Sequence, residues 1–427
     1  MHDHRTHRAT ITNHSQVSDD LDRCGWSVSK LWNVGLYHIQ TEWDTTGEIP
    51  GEGDLKSELK GHEKYTDLQS QSSQRVLEEL AEAFHSWYGS SDTRDNPPGF
   101  RKRNYYDEDG NLVHEEHPRS TVTWKQKGIR HDTENDRLRL SKGFNHKESR
   151  DDYILCEYDT RDDVAIENVQ QVRAVYEHGE WRLHIVCKHE IETPDPPGDE
   201  TAGIDLGICN FAAVAYSNDE ATLYPGNYLK ENEYYFTKEV AKCDRSWSNR
   251  ATRLNHKRTE RRSQFIHAWA KHVVEDAKEN NVGRIAIGDL GGIRDDENGD
   301  AVNWGKHGNL DLHGWPFDKA TKVLTYKAKA EGITVDADVS ERDTSKTCSA
   351  CGKIADRQRV ERGLYRCEVC GMTANADVNG AENIRRRSNS ESPSGDRSTG
   401  WLAQPVVHLH DRTHGFSPGA PVVDCKP

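Results

Sequence analysis

Six side chains in this sequence have the types and spacing to do chemistry: Cys348, Cys351, Cys367 and Cys370, and the distant aspartates Asp205 and Asp377. The cysteines form two Cys-x-x-Cys turns separated by the fifteen residues 352–366, and a glycine follows each pair (Gly352 and Gly371). Each turn aims two thiolates at one point, and two turns across a hairpin complete the tetrahedron of soft ligands that Zn²⁺ favours. Two chance pairs or two disulfides are the alternative. Asp205 sits in Gly203-Ile-Asp-Leu-Gly207, where Ile204 and Leu206 share one face and the aspartate takes the other. Asp377 lies seven residues beyond Cys370, at the start of Asp377-Val-Asn-Gly-Ala-Glu-Asn-Ile384. Carboxylates from distant parts of a chain are what Mg²⁺ requires, because it takes hard oxygen ligands. Two such ions about 3.5–4 Å apart stabilise the attacking and leaving oxygens when water cuts a phosphodiester. Taken singly, Asp205 is also a strand-end residue and Asp377 a helix-start residue favoured by the dipole. The cysteine element between them favours the metal-dependent reading.

The elements that must position these residues follow from periodicity. Residues 1–20 read as a disordered tail, despite a His-rich start able to bind metal adventitiously. Residues 21–95 read as helical, most clearly from Leu68 to Trp87, where Val76, Leu77, Leu80, Phe84 and Trp87 share one face. Asn96-Pro-Pro-Gly99 ends that run. Residues 96–198 read as a β-rich region that includes part of the N-terminus. Its strands centre on Thr121–Trp124, Arg137–Leu140 and Trp181–Cys187. Thr193-Pro-Asp-Pro-Pro-Gly198 is a stiff linker and marks the main boundary. Residues 199–342 show an α/β pattern: strands at Gly203–Ile208, Phe211–Tyr216, Arg284–Ile287 and Ile333–Val339, a long helix from Phe236 to Asn280 with Trp247 on its seam, and a helix from Lys319 to Glu331. The cysteine element spans 343–373, a last helix 374–386, and a Ser/Pro/Gly-rich tail 387–427.

The chain has 427 residues, room for several domains. Its net charge is −15, from 57 basic and 72 acidic residues. That balance opposes a nucleic-acid partner on its face, although net charge speaks to solubility more than to a local site. A diffusely acidic surface also points to a salt-rich, halophilic source. There is no run of apolar residues long enough to span a membrane. The polar N-terminus lacks the core of a secretory signal. The remaining cysteines are scattered without framework spacing, and a cytoplasmic location is expected.

Taken together, Gly203-Ile-Asp-Leu-Gly207, Thr344-Ser-Lys-Thr-Cys348-Ser-Ala-Cys351-Gly352, Cys367-Glu-Val-Cys370-Gly371 and Asp377–Ile384 resemble the TnpB (OrfB) proteins of insertion sequences. That family is related to the type V CRISPR effectors. The likeness covers residues 200–386 and extends to 60–200; the acidity makes it haloarchaeal-type. It implies an α/β RNase H-like (RuvC) nuclease domain with an inserted zinc ribbon, an N-terminal helical recognition lobe and a β-barrel wedge domain. It also implies catalytic Asp205 and Asp377 with Mg²⁺, structural Zn²⁺, and guide RNA and target DNA as partners, the guide reading sequence by base pairing.

One departure matters. The family pattern ends the middle strand on a glutamate followed by Asp-Leu, whereas this chain reads Ile287-Gly288-Asp289-Leu290. Asp289 is the obvious substitute, yet one step along a strand turns a side chain to the opposite face. Either Asp289 completes a cutting site, or the chain only binds. The segment Lys238–Arg262 carries nine bases against three acids. Arg245, Arg250, Arg253, Lys257, Arg258, Arg261 and Arg262 form a stripe suited to phosphates, or a solvated face. Arg342 and Ser345 contact phosphate or lead into the cysteine turn. Asn379 and Asn383 orient the last helix or meet substrate. Trp304, Trp315 and Phe317 pack or stack on bases. A transposase acting directly lacks its His-hydrophobe-His motif here. An actin-like ATPase leaves the cysteine pairs without a place.

Overall fold

The computed structural model describes residues 2–89, 96–107, 109–160, 164–177, 179–190, 193–245, 248–289, 315–356, 358–361, 363–392 and 400–419. Trp247, Leu290 and Trp304 lie outside them. The chain divides into two compact units, Met1–Ile191 and Glu192–Pro427.

In the first unit, seven antiparallel strands form one sheet in the order Val122–Lys125, Val169–Glu177, Glu180–Glu190, His2–Ile11, Tyr153–Asp159, Arg137–Ser141, Ile129–Asp132. Helices His14–Thr46 and Ser70–Tyr88 share its core: Leu21, Leu31, Leu77 and Leu80 are buried with Trp124, Trp181 and Leu183. Residues 2–11 are therefore not the disordered tail that composition implies. The segment runs beside Glu180–Glu190 from His2↔Glu190 to Thr10↔Arg182 and joins two parts of the sheet. Backbone pairing holds it, and among residues 4–11 only Ala9 and Ile11 are buried, which leaves its own sequence without a hydrophobic signature. His7 Nε2 and His189 Nε2, 3.2 Å apart, tie it to its neighbour, with Cys187 alongside.

In the second unit the sheet order is Thr334–Ser340, Val282–Asp289, Glu200–Leu206, Asn210–Ala215, Ala221–Pro225, Val406–Asp411, Gly415–Pro418. Glu200–Leu206 runs antiparallel to Asn210–Ala215, which runs antiparallel to Ala221–Pro225. On its other side Glu200–Leu206 runs parallel to Val282–Asp289, itself parallel to Thr334–Ser340. The two faces carry different cores. Ile204, Phe211, Ile285 and Ile287 pack with helices Asn249–Glu279 and Phe317–Ala330, and Phe211 meets Phe265 and Trp269 edge-on at 5.1 Å. Ala213, Ala215 and Leu223 receive the last helix, Ala376–Ser388, through Val378 and Ala381. Trp315 and Phe317 belong to the first of these cores, the packing alternative for them.

Two expectations are corrected here. The single helix Phe236–Asn280 is two helices, Asn227–Ala241 and Asn249–Glu279; Ser248 caps the second by accepting from the Ala251 amide at 3.2 Å. The seam periodicity survives the break because the two helices pack on each other, so apolar spacing alone did not expose it. The tail from residue 387 also contains structure. The last helix runs to Ser388, and Val406–Asp411 with Gly415–Pro418 extend the sheet as a hairpin. Their alternating Val-His-Leu-His pattern is short and lies in polar surroundings.

Gly203 shows how tightly the last helix sits. A Cβ there would overlap the Ala381 carbonyl and lie 2.6 Å from the Arg385 amide. Gly203→Ala is expected to cost about 1–3 kcal/mol, as overpacking does; urea denaturation of the purified chain measures it.

Candidate active site

Asp205 is placed by the Glu200–Leu206 strand, whose alternation turns Ile204 and Leu206 into one core and the aspartate towards the last helix. The helix can approach because it presents Gly380 at that level: a Cβ on Gly380 would overlap Asp205 Oδ2. Asp377 is placed by the start of that helix. Asn375 caps it, its side-chain oxygen accepting from the amides of Asp377 (3.0 Å) and Val378 (3.2 Å). The Asp377 carboxylate accepts from Asn210 Nδ2 at 2.8 Å and pairs with Arg359 at 3.0 Å. Asn210 begins the strand that follows Asp205, so one turn of chain positions both aspartates.

A third carboxylate, absent from the sequence reading, joins them. Glu341 follows the Thr334–Ser340 strand. Burial, then the like charges of Glu341 and Asp377, push the Asp205 carboxyl well above the usual carboxylate range, with Arg359 opposing. Burial, then the charge of Asp289, raises Glu341 to about 7. Glu341 Oε1 is buried and has no hydrogen-bond partner among the described residues. Asp289 is exposed at its strand end, and its charge bears on Glu341. The arrangement offers hard oxygen donors and an acceptor without a donor, which fits a divalent cation such as Mg²⁺.

The signal for Glu341 lay in pairing rather than in a motif. Gly288 pairs with Val339 and Asp289 with Ser340, so the next residue beyond the neighbouring strand is Glu341. A register shift precedes this, since Ala286 pairs with Asp336 and Gly288 with Val339. One extra residue therefore sits on the Thr334–Ser340 strand, and such bulges re-aim side chains.

The four cysteines converge. Cys348 and Cys370 Sγ lie 3.6 Å apart, as do Cys351 and Cys367. Tetrahedral zinc with Zn–S bonds of about 2.3 Å spaces its sulfurs by about 3.8 Å, whereas a disulfide needs about 2.05 Å. The donor set fits zinc. Gly352 and Gly371 close the turns at φ 74° and 75°, donating to the carbonyls of Cys348 (2.8 Å) and Cys367 (3.0 Å). Against the cost of burial, the amides of Cys370 and Val369 bring the Cys367 thiol down to about 7.

The hairpin is bonded to the last helix. Asn379 accepts from the Ser349 amide (3.0 Å) and donates to the Thr347 carbonyl (2.8 Å). Asn383 donates to the carbonyls of Thr344 (2.8 Å) and Thr347 (2.7 Å), and Arg386 donates to that of Ser349. Both asparagines thus take the orienting role. Buried Glu382 holds Arg385 (2.8 Å) and Arg386 (2.6 Å) in place. Ser345 and Arg342 remain exposed beside this joint, the Arg342 carbonyl accepting from Arg387 at 2.9 Å.

The basic stripe divides in two. Arg258 (3.1 Å) and Arg262 (2.6 Å) pair with Glu233, and Arg261 donates to Asn232 (2.9 Å) and covers Phe236. These three tie helix Asn249–Glu279 to Asn227–Ala241. Arg245, Arg250, Arg253 and Lys257 are exposed, Arg250 lying 3.4 Å from Glu239.

Comparison with known proteins follows this geometry. Residues 184–294, which hold Asp205 and Asp289, match the OrfB_IS605 family, described as a probable transposase. Residues 317–384, which hold Glu341, the four cysteines and Asp377, match the Cas12f1-like TNB domain. A putative RNA-guided DNA endonuclease, InsQ, from Escherichia coli is 28% identical over 237 residues, 51% of this chain and 56% of that one. The chain thus spans about half the length of that relative. The TnpB-like protein ORF457 of Acidianus two-tailed virus is 26% identical over 84% of this chain and 81% of its own. In fold, the chain resembles Cas12f1 in its complex with sgRNA and target DNA, with TM-score 0.53 and 16% identity over 87% of this chain and 82% of that one. No helix among the described residues is long and apolar enough to cross a membrane.

Two outcomes are expected. Cys370→Ser should release zinc, read by atomic absorption, and lower the melting temperature, because the hairpin anchors the last helix. In magnesium-free buffer the melting temperature should fall as pH rises from 5 to 7.5. Between the usual 4.5 and about 7 the folded Glu341 keeps a proton that the unfolded chain has lost, so stability drops across that window. Glu341→Gln should flatten the fall in a thermal-shift series.

Proposed function

We propose that this chain is a transposon-associated, RNA-guided DNA endonuclease that hydrolyses phosphodiesters with Mg²⁺. The observation that carries the reading is the convergence of Glu341 and Asp377, from separate parts of the chain, on the buried carboxyl of Asp205. The sheet order, with two antiparallel strands beside the Asp205 strand and two parallel strands across it, supports an RNase H-like (RuvC) domain. The cysteine hairpin inserted before the last helix supports a zinc ribbon in that domain. The helices and antiparallel sheet of the first unit supply the recognition lobe and wedge of this reading.

Bound Mg²⁺ would supply Lewis-acid stabilisation of the attacking and leaving oxygens. The chain's own part is to fix the ligands. Gly380 brings the last helix to Asp205, Asn210 and Arg359 orient Asp377, and the zinc hairpin locks that helix in register. Guide RNA and target DNA are the partners, named in the complexes of the matching fold. Arg245, Arg250, Arg253 and Lys257 meet phosphates, joined by Arg342 and Ser345 near the zinc turn. Gly288 supports a second reading, an RNA-guided DNA-binding protein without cleavage. The acidic surplus supports a haloarchaeal-type source, and raising KCl into the molar range should raise the melting temperature.

The test is to purify the chain with its RNA, then add Mg²⁺ and cognate duplex DNA. RNA mapping next to its own gene and cut DNA are expected. Asp205→Ala should reduce cutting at least about 100-fold, since even outer partners of a metal site cost 10–100-fold. Binding without cutting by the parent chain would select the second reading. Arg253→Ala and Lys257→Ala should each lower the slope of log affinity against log salt by about 0.9.

A further inference from the structure

We propose that Glu341 supplies the metal-binding carboxylate that Gly288 lacks, so that the third ligand has moved from one strand end to its parallel neighbour. This rests on the nuclease reading above and assigns its missing residue.

Space is the first argument. A Cβ on Gly288 would overlap Glu341 Oε1 and would lie 2.6 Å from its Cγ and 2.7 Å from its Cδ. The volume that a side chain at 288 would enter holds the Glu341 carboxyl group. Register is the second. Glu341 directly follows the Asp289↔Ser340 pair, and the extra residue between Asp336 and Val339 shifts the neighbouring strand by one step. One step reverses which face a strand residue addresses. The bulge therefore presents Glu341 at the level of Gly288. Valence is the third. Glu341 Oε1 is shielded from water and accepts no hydrogen bond among the described residues. A buried carboxylate oxygen in that state is costly unless a cation completes it. Asp289, the substitute named by adjacency in sequence, is exposed, whereas Glu341 is a charge that bears on Asp205.

Glycine at 288 and glutamate at 341 are then one exchange. A glutamate at 288 would collide with Glu341 and add a like charge, while glycine leaves room for the migrant.

The experiment uses the full chain with its RNA and reads Mn²⁺ binding by calorimetry and electron paramagnetic resonance beside DNA cleavage. Glu341→Gln keeps the shape and removes the charge. It is expected to weaken Mn²⁺ at least about 10-fold and to reduce cutting at least about 100-fold. Asp289→Asn should cost less in both readouts. Gly288→Glu alone should disturb the site, whereas Gly288→Glu with Glu341→Gly should recover Mn²⁺ binding and cutting above either single variant. Circular dichroism and melting of each variant report folding. Parent-like Mn²⁺ binding and cutting by Glu341→Gln, or a larger loss from Asp289→Asn, overturns the relocation. If Asp205→Ala is inactive in the same series, the nuclease reading survives that result. A parent chain that neither binds Mn²⁺ nor cuts overturns both.

Discussion

Glu341 and Asp377 both press like charge on Asp205, and the fold holds that carboxyl where burial weakens screening. Burial, then the charges of Glu341 and Asp377, hold the Asp205 carboxyl above its usual range, and those charges favour a cation that neutralises them. The surrounding structure serves this one constraint. A strand brings Asp205, a helix start brings Asp377, and a neighbouring strand end brings Glu341. Apolar side chains beside the charges brace two of these elements: Ile204 and Leu206 flank Asp205, and Val378 follows Asp377.

The last helix carries Asp377 into that arrangement. It is polar for a buried element: Asn379, Glu382, Asn383, Arg385 and Arg386 all lie inside. Their bonds run to the cysteine hairpin, to one another or, from Arg385, to Glu391, which satisfies groups that would otherwise make the helix unstable there. The hairpin has little core of its own, and a metal held by the four thiolates would supply what packing does not. The cysteine hairpin thereby bears on the position of Asp377 through hydrogen bonds to the last helix. Arg359 extends the coupling, since it comes from the hairpin and pairs with Asp377.

The bulge beside Gly288 shows how little backbone change re-aims a side chain. Sheet neighbours in parallel register bring the ends of two strands to one place, so a side chain lost from one can be supplied by the other. The basic helix shows the opposite economy. Arg258, Arg261 and Arg262 share a sequence stripe with Arg253 and Lys257, yet they face inward and knit two helices. A charge run read along the chain does not say which charges look outward.

Local patterns decided much of this protein. The cysteine spacing, the alternation around Asp205, the helix start at Asp377 and most strands of the second unit are legible, because turn geometry and side-chain periodicity act over a few residues. What escaped was set by pairing over long distances. Residues 2–11 became a strand only because Glu180–Glu190 offered its edge, and residues 406–418 only because the sheet had room beside Ala221–Pro225. Glu341 belongs with them. Nothing in its own neighbourhood marks it, and only the register between two parallel strands, set by the packed sheet, sends its carboxylate into the space that Gly288 leaves open.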